Sequence, residues 1–469
     1  MNEENSEPQS KATTAGQVSV SVRVSPGAYL TALSFLLLVA LFLLYLDLYT
    51  ASGVIAALSI AVVFVLAATD RVIFDGKRIR RTGLLPRIGY RLFGLRDRLK
   101  LSDIEQVDSQ SLRGIRRSGR FPYRHRTTLR GKGIAMTVVS GGERYRKFVR
   151  EVLGRLDANV LDARSLELRE YLSEPSMLER LVEEYRIPSA DVLEPSFKKW
   201  KTARNTEALA VEPASTTEFS QKARELRELG NRLRFSGSLI QAAEAFRRAL
   251  RLDPRDGWVL FDLGRCLLSL AGYERDRKLH RRAVALMRLA ERRAGDDGEL
   301  LSRLGEAYFQ VGDWRRANSA FKRAVELLGD GFRAIRGMAE IALREGKIAH
   351  VIHNFGEANR SAENAALRRW AGTEADYFSR LNADEEYMEL EVSRVNLLER
   401  LERNSRAAVR VSLVGLLVLF VGLLLDQIMI ANFGWAIVFI AIGVRLVLLI
   451  GRKMMTNRIP FELVERDRE

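Results

Sequence analysis

Residues 223–256 read ARELRELGNRLRFSGSLIQAAEAFRRALRLDPRD. Two amphipathic helices fit this stretch. Leu229-Gly230 puts a minimal residue where the paired helices approach most closely, and Ala242, Phe246 and Ala249 line the facing helix. Pro254 punctuates the end, where a helix has no use for its missing N–H.

The pattern recurs with a period near 34. Residues 257–297 carry Leu263-Gly264, Ala283, Met287 and Ala290, with seven extra residues around Tyr273–Leu279. Residues 298–331 carry Leu304-Gly305, Tyr308, Ala317, Phe321 and Ala324. A fourth, degenerate copy at 332–365 keeps Met338-Ala339, Gly346, Val351, Phe355 and Ala358. One helix pair cannot bury its apolar face alone, so neighbouring copies must stack.

These residues resemble the tetratricopeptide repeat family over residues 219–375. The resemblance implies an α-helical solenoid that binds a protein or peptide in a concave groove, lined by the first helix of each pair. The groove residues it implies are Arg224, Arg227, Asn231 and Arg234, then Trp258, Phe261 and Arg265, then Glu299, Glu306 and Phe309. Arg227 and Asn231 resemble half of the clamp by which some members hold a C-terminal carboxylate. Asp262 and Glu299 stand where that clamp needs Asn and Lys, and would repel such a ligand.

Outside the repeats the chain of 469 residues is a mosaic. Residues 28–46 and 51–69 are uncharged runs of 19 residues each, long enough for a ~30 Å hydrocarbon core at ~1.5 Å per residue. Residues 411–425 and 433–451 form a second apolar pair. The expectation is two transmembrane helical hairpins, at 28–69 and 411–451. The short turns 47–50 and 426–432 contain no Lys or Arg, while Arg71, Lys77, Arg78, Arg403, Arg406, Arg410 and Arg452 crowd the opposite flanks. The excess of basic residues then places both termini and the soluble bulk in the cytoplasm, beside what in a bacterium is the inner membrane. A cleaved signal peptide fits poorly, because residues 1–25 begin acidic and offer no small-x-small site. Arg445 is six residues from Gly451, within snorkelling reach of the headgroups.

The net charge of +16 is local. Residues 71–155 hold 23 Lys/Arg against 7 Asp/Glu, so the remainder sums to zero. Here the period changes to that of strands. Val72–Phe74 and Arg78–Arg81 flank Asp75-Gly76, which predicts a hairpin with a type I′ turn. Residues 124–129 and 134–139 predict a second hairpin, and Tyr145, Phe148, Val149, Val152, Leu153 and Leu156 mark one face of a helix. The runs DGKRIRRTGLL (75–85), LSDIEQVDSQ (101–110) and GERYRKFVREVL (142–153) resemble the bacterial pleckstrin-homology-like domain found beside membrane hairpins. That implies a small β-rich domain at 70–157, with Arg78, Arg80, Arg81, Arg87 and Arg91 against anionic headgroups. The same charges also suit a plain topology determinant. Nucleic-acid binding is a third reading, on Tyr123, Arg124, Arg126 and Arg130, but no reader motif accompanies them. Ahead of the first span, Val18, Val20, Val22 and Val24 alternate with polar residues, fitting either a strand on a sheet edge or a disordered tail.

The expected divisions are a tail at 1–27, the hairpin at 28–69, the basic domain at 70–157, a helical segment at 158–204, a linker at 205–218, the repeats at 219–375, a charged helix at 376–410, the second hairpin at 411–451 and a tail at 452–469. In the charged helix Met388, Val392, Val395, Leu398 and Leu401 form an apolar stripe that suits packing on the last repeat.

No catalytic, cofactor or metal site is expected. Cys266 is the lone cysteine, the four histidines are scattered, and His350 and His353 have no third ligand nearby. Gly131-Lys132-Gly133 and Gly141-Gly142 lack phosphate-loop spacing. Two functions remain. One is a membrane-anchored scaffold that recruits a partner through the repeats. The other is a lipid-sensing or accessory subunit of a membrane complex, with the repeats structural.

Overall fold

The computed structural model describes residues 20–24, 27–93, 97–113, 123–139, 142–202, 217–329, 331–456 and 458. In chain order the elements are β1 (Val20–Arg23), α1 (Gly27–Tyr45), α2 (Tyr49–Thr69), β2 (Arg71–Phe74), β3 (Arg78–Thr82), α3 (Leu84–Phe93), β4 (Arg98–Lys100), β5 (Gln106–Arg113), β6 (Tyr123–Gly131), β7 (Ile134–Val139), α4 (Glu143–Leu153), α5 (Ala163–Tyr171), α6 (Pro175–Glu184) and α7 (Ala190–Thr202). The repeats follow as α8 (Thr217–Ser236), α9 (Leu239–Leu252), α10 (Gly257–Glu274), α11 (Arg277–Arg293), α12 (Gly298–Val311), α13 (Trp314–Leu328), α14 (Phe332–Arg344) and α15 (Ile348–Ser361). The chain closes with α16 (Ala365–Ala383), α17 (Glu385–Leu424) and α18 (Ile428–Met455). Most of the expected linker, and the chain ends before residue 20 and after 458, lie outside the described residues.

Two compact units emerge. One comprises residues 60–345 and 354–372 with the chain start through Leu33; the other comprises 34–59, 346–353 and 373–469.

Within the first unit, β1–β4 form one antiparallel sheet in chain order, and β5–β7 form another. The strand alternative at the N-terminus is the one adopted: Val20 pairs with Phe74 and Arg23 with Arg71. The β2–β3 turn departs from type I′, which needs two positive φ angles. Only Gly76 has one, at 93°. The Asp75 carboxylate instead accepts from the N–H groups of Lys77 and Arg78, an Asx turn that does the same work. Helix α4 supplies Tyr145, Phe148, Val149, Val152 and Leu153 to the core, the face expected of it.

A polar lock closes the junction between apolar helix and sheet. Asp70, fully buried, accepts two hydrogen bonds from Arg81, at 3.0 and 2.6 Å, and one from the Tyr29 hydroxyl at 2.6 Å. Gly83 lies so close that a Cβ there would stand 3.0 Å from Asp70 Cα and 3.1 Å from the Thr69 carbonyl. Helix α3 therefore begins against the last residues of α2.

The repeat helices pack as the pairs α8·α9, α10·α11 and α12·α13, and α14 adds onto α12 and α13. The glycine positions explain the spacing. A Cβ on Gly230 would stand 2.6 Å from Phe246 Cε1, and one on Gly305 2.6 Å from Phe321 Cδ1. Each phenylalanine of the second helix occupies the space of the missing side chain. In the fourth copy Gly337, rather than Met338-Ala339, faces the Phe321 ring; a Cβ there would stand 2.5 Å from it. The insertion in the second copy lengthens both helices about a left-handed residue, Arg275 at φ 55°.

Among the described residues three helices are, by length and composition, long and apolar enough to cross a membrane: Tyr49–Thr69, the apolar part of Glu385–Leu424, and Ile428–Arg452; the apolar stretch Tyr29–Tyr45 is shorter. In the second unit α17 and α18 cross closely through glycine. A Cβ on Gly422 would stand 2.4 Å from Ala431 N, and one on Gly434 2.4 Å from Leu419 N. Phe42 packs edge-on against Trp435 and Phe439, and the Tyr45 hydroxyl donates to Asn432 at 2.8 Å. Both apolar hairpins turn on an aspartate at positive φ, Asp47 and Asp426.

The charged helix begins later than expected, because residues 376–383 belong to α16, and it runs on into the apolar stretch as far as Leu424. It starts at Glu385 because the Asp384 carboxylate caps it, accepting from the Tyr387 N–H. Its apolar stripe is divided: Val392 and Val395 are exposed, Met388, Leu398 and Leu401 are half-buried, and Tyr387 and Glu391 beside them are buried. Glu391 is held instead by Tyr377 and Arg394.

Candidate functional site: the face lined by the first repeat helices

Helix α5 and the turn before it lie across the first helices of the repeats. Each of those helices sends an arginine to this short segment. Arg234 of α8 donates to Glu167 at 3.0 Å. Arg265 of α10 pairs with the same carboxylate. Arg303 of α12 stands 3.9 Å from Glu170. Arg333 of α14 donates to the carbonyls of Ala158 and Leu161, at 2.8 and 3.1 Å. The relative exposure of Glu167 is 2%, so its charge is stable there only because two guanidiniums face it.

Sequence explains why α5 forms and stays. Asp162 caps it, accepting from Ser165 N at 2.8 Å, and its own N–H donates to Val107 of β5 at 3.0 Å. Burial raises the Asp162 pKa. A chain of hydroxyls then ties helix to sheet: Ser165 to Ser109 at 2.7 Å, Ser109 to Thr127 at 3.0 Å, and Thr127 to Tyr145 at 2.8 Å. Behind them the apolar core runs on from Val107, Leu129 and Phe148 to Phe235, Phe332 and Ile335 of the repeats. Beside Glu167 a cavity of about 340 Å³ is lined by Arg164, Arg234, His125, Phe235, Ser269 and His280 among others. His125 stacks on Phe235 with ring centres 5.9 Å apart. Burial, with Arg164 nearby, pushes its pKa down to about 4.

The expected groove residues divide into two groups. Arg227, Asn231 and Trp258 assemble around Asp262. Arg227 Nε donates to Asp262 Oδ2 at 2.6 Å, Asn231 donates to the same oxygen at 2.8 Å, and the Arg227 guanidinium lies over the Trp258 ring at 4.7 Å. Asp262, which spoils a carboxylate clamp, is thus the anchor of this cluster. Arg234 and Arg265 hold α5, and Phe261 lies under Arg265 at 5.2 Å. Glu299 pairs with Arg303 and Glu306 with Arg333, so both carboxylates orient arginines that reach α5 or its turn. Phe309 sits beneath Arg344 at 5.5 Å, and Arg224 is exposed.

Sequence reasoning missed Arg303, Arg333 and Glu167. A signal was there. Arg234 lies four residues after Gly230, Arg265 one after Gly264, and Arg303 two before Gly305. The arginine retreats about one helical turn per copy. That drift marks a ligand lying obliquely across the array, which a fixed position per copy does not reveal.

Of the expected lipid-facing residues, Arg81 is taken up by Asp70. Arg80, Arg87 and Arg91 line a concavity together with Arg98, and Arg78 is exposed. Among the described residues no group of three or more His, Cys, Asp or Glu is arranged to hold a metal.

The chain is a mainly α protein with tetratricopeptide-like helix-pair repeats and two small antiparallel sheets. No family model matches it, and no curated protein does. Among solved structures it is similar to MamA, at 16% identity over 30% of this chain and 77% of that one, TM-score 0.26. It is also similar to YrrB, described as a TPR protein with an unusual peptide-binding site, at 19% identity over 35% of this chain and 80% of that one, TM-score 0.28. The Cut9–Hcn1 hetero-tetramer of the APC/C covers 66% of this chain and 60% of its own at 14% identity, TM-score 0.27.

Proposed function

We propose that this chain is a membrane-anchored interaction scaffold whose repeat groove is held by its own helix α5, and that a partner presenting an acidic helix competes for the same arginines. The observation that carries this reading is the convergence of Arg234, Arg265, Arg303 and Arg333, one from each first helix, on the segment from Ala158 to Glu170. Four repeats bringing one arginine each to the carboxylates and carbonyls of one short segment is the geometry of ligand recognition, exercised on an internal ligand. The repeats lie on the cytoplasmic side in this reading, with the apolar helices as the anchor. Reporters after Glu469 and near Ser215 should then give a cytoplasmic signal, and one in the 426–432 turn an external signal.

A second reading has its own support. The apolar core shared by sheet and repeats, through Phe235, Phe332 and Ile335, suits a brace that keeps the basic β region rigid in an accessory subunit of a membrane complex.

A labelled peptide of residues 157–172 separates the two. Full-length protein carrying Glu167→Lys, with its own α5 released, should capture that peptide, and wild-type protein should not. Loss of stability in the variant with no capture would leave the brace as the reading.

A further inference from the structure

Helix α3 exposes an apolar face beside a basic edge. It starts at the end of apolar α2, where Gly83 touches the backbone of Thr69 and Asp70. Leu84, Leu85 and Ile88 are exposed on it, at 42%, 45% and 49%. Leu84 and Leu85 each lie one turn from Ile88, at spacings of four and three, so Ile88 joins them in one apolar face. Arg87 and Arg91, four apart, form a basic edge. With Arg80, Arg98 and Asp97 they line a concavity of about 840 Å³. Asp97 answers Arg80 and Arg98 only loosely, at 3.5 Å each. Neither Arg87 nor Arg91 is paired with a described acidic residue. Four guanidiniums against one carboxylate leave a net positive hollow beside an apolar helix face.

We propose that α3 lies in the plane of the membrane surface and that this hollow takes the phosphate of an anionic lipid headgroup. Position selects a lipid over a soluble anion. The first turn of α3 is fixed at the level where a membrane-crossing α2 leaves the hydrocarbon, so Leu84, Leu85 and Ile88 meet acyl chains while the arginines meet phosphates. A short helix with an apolar face and a basic edge has this chemistry. Pro86 in its first turn costs no hydrogen bond, since N–H groups there have no partner inside the helix. The inference rests on the membrane reading given above and deepens it by naming a headgroup site.

The test uses the full chain, reconstituted in phosphatidylcholine with or without phosphatidylglycerol. Cys266 is fully buried, so a probe directed to Ile88→Cys labels one place. Leu58→Cys, near the middle of α2, is the control. Both probes should be quenched by brominated acyl chains, the Leu58 site more deeply. Energy transfer from the Ile88 probe should favour headgroup-labelled phosphatidylglycerol over phosphatidylcholine. Arg87→Gln with Arg91→Gln should cut that preference about fivefold per arginine, and added salt should weaken it too. Arg87→Lys with Arg91→Lys should keep it and shows that the surface still folds. A quenched control with an aqueous Ile88 probe, or equal transfer to both lipids, overturns the headgroup site and leaves the anchor standing. Two aqueous probes overturn the anchor as well.

Discussion

Arg234 donates to Glu167 across 3.0 Å, and the two side chains are 7% and 3% exposed. They belong to different parts of the chain, one to the repeats and one to the helix that follows the basic sheet. Arg265 approaches the same carboxylate. Burial and the guanidiniums of Arg164 and Arg303 pull the Arg265 pKa down, and the Glu306 carboxylate opposes them.

Breaking a buried pair leaves an uncompensated charge, which typically costs about 3–5 kcal/mol. Glu167→Ala strands two arginines and should lower the unfolding free energy of the detergent-solubilised chain, read from urea titration, by an amount in that range. Arg234→Glu should cost as much. A sequence reading that places Arg234 on a solvated groove wall expects only about 0.5 kcal/mol, the usual surface value. The pair Glu167→Arg with Arg234→Glu should recover only part of the loss, because Arg265 then faces a like charge. Full additivity of the two single changes would mean that the residues do not interact.

The repeats were legible because their signal is steric and local. Leu-Gly followed by Ala and Phe at fixed spacing reports one helix pressing on its neighbour, and Gly230 with Phe246 and Gly305 with Phe321 realise it. The hairpins of the basic region were legible from strand period and turn residues. Occupation of the groove was not. Glu167 and Arg234 are 67 residues apart, and nothing in either local pattern marks a buried charge. The sequence also hid the lock at Asp70, since an aspartate after an apolar run reads as the place where the run ends.

Gly305→Leu tests the repeat register. Its Cβ would stand 2.6 Å from the Phe321 ring, whose far edge lies where a Cβ on Gly337 would be, 2.5 Å from it, so there is little room for the ring to retreat. Overpacking of this kind costs about 1–3 kcal/mol. The thermal midpoint of the variant should fall, and Phe321→Ala in the same chain should relieve part of the clash. A silent Gly305→Leu would show that helices α12 and α13 do not meet there.

Asp70→Ala should loosen the first sheet. The carboxylate takes two bonds from Arg81 and one from Tyr29. Hydrogen bonds to charged groups are worth about 1.5–3 kcal/mol each. Amide exchange at Val72–Phe74 should therefore rise in the variant, while the amides of α10 and α12 keep wild-type protection. Unchanged exchange at the sheet would mean that the lock is ornamental.

His125 makes the first unit acid-sensitive. Its folded pKa lies near 4 because burial disfavours the charged ring and Arg164 repels it. In the unfolded chain the ring titrates near its ordinary value of about 6.5. Between these two values the unfolded state binds a proton that the folded state refuses. Stability therefore rises with pH through this window and is lost as pH falls from about 6.5 toward 4. A shift of this size corresponds to roughly 3 kcal/mol at the acid end. Other groups titrate in the same range, so the test is a comparison. His125→Phe keeps an aromatic ring against Phe235 and removes the titration. Urea midpoints of wild type and variant should run parallel above pH 7 and separate below it, the variant losing less. Parallel curves down to pH 4 would show that His125 accepts its proton in the folded protein without penalty.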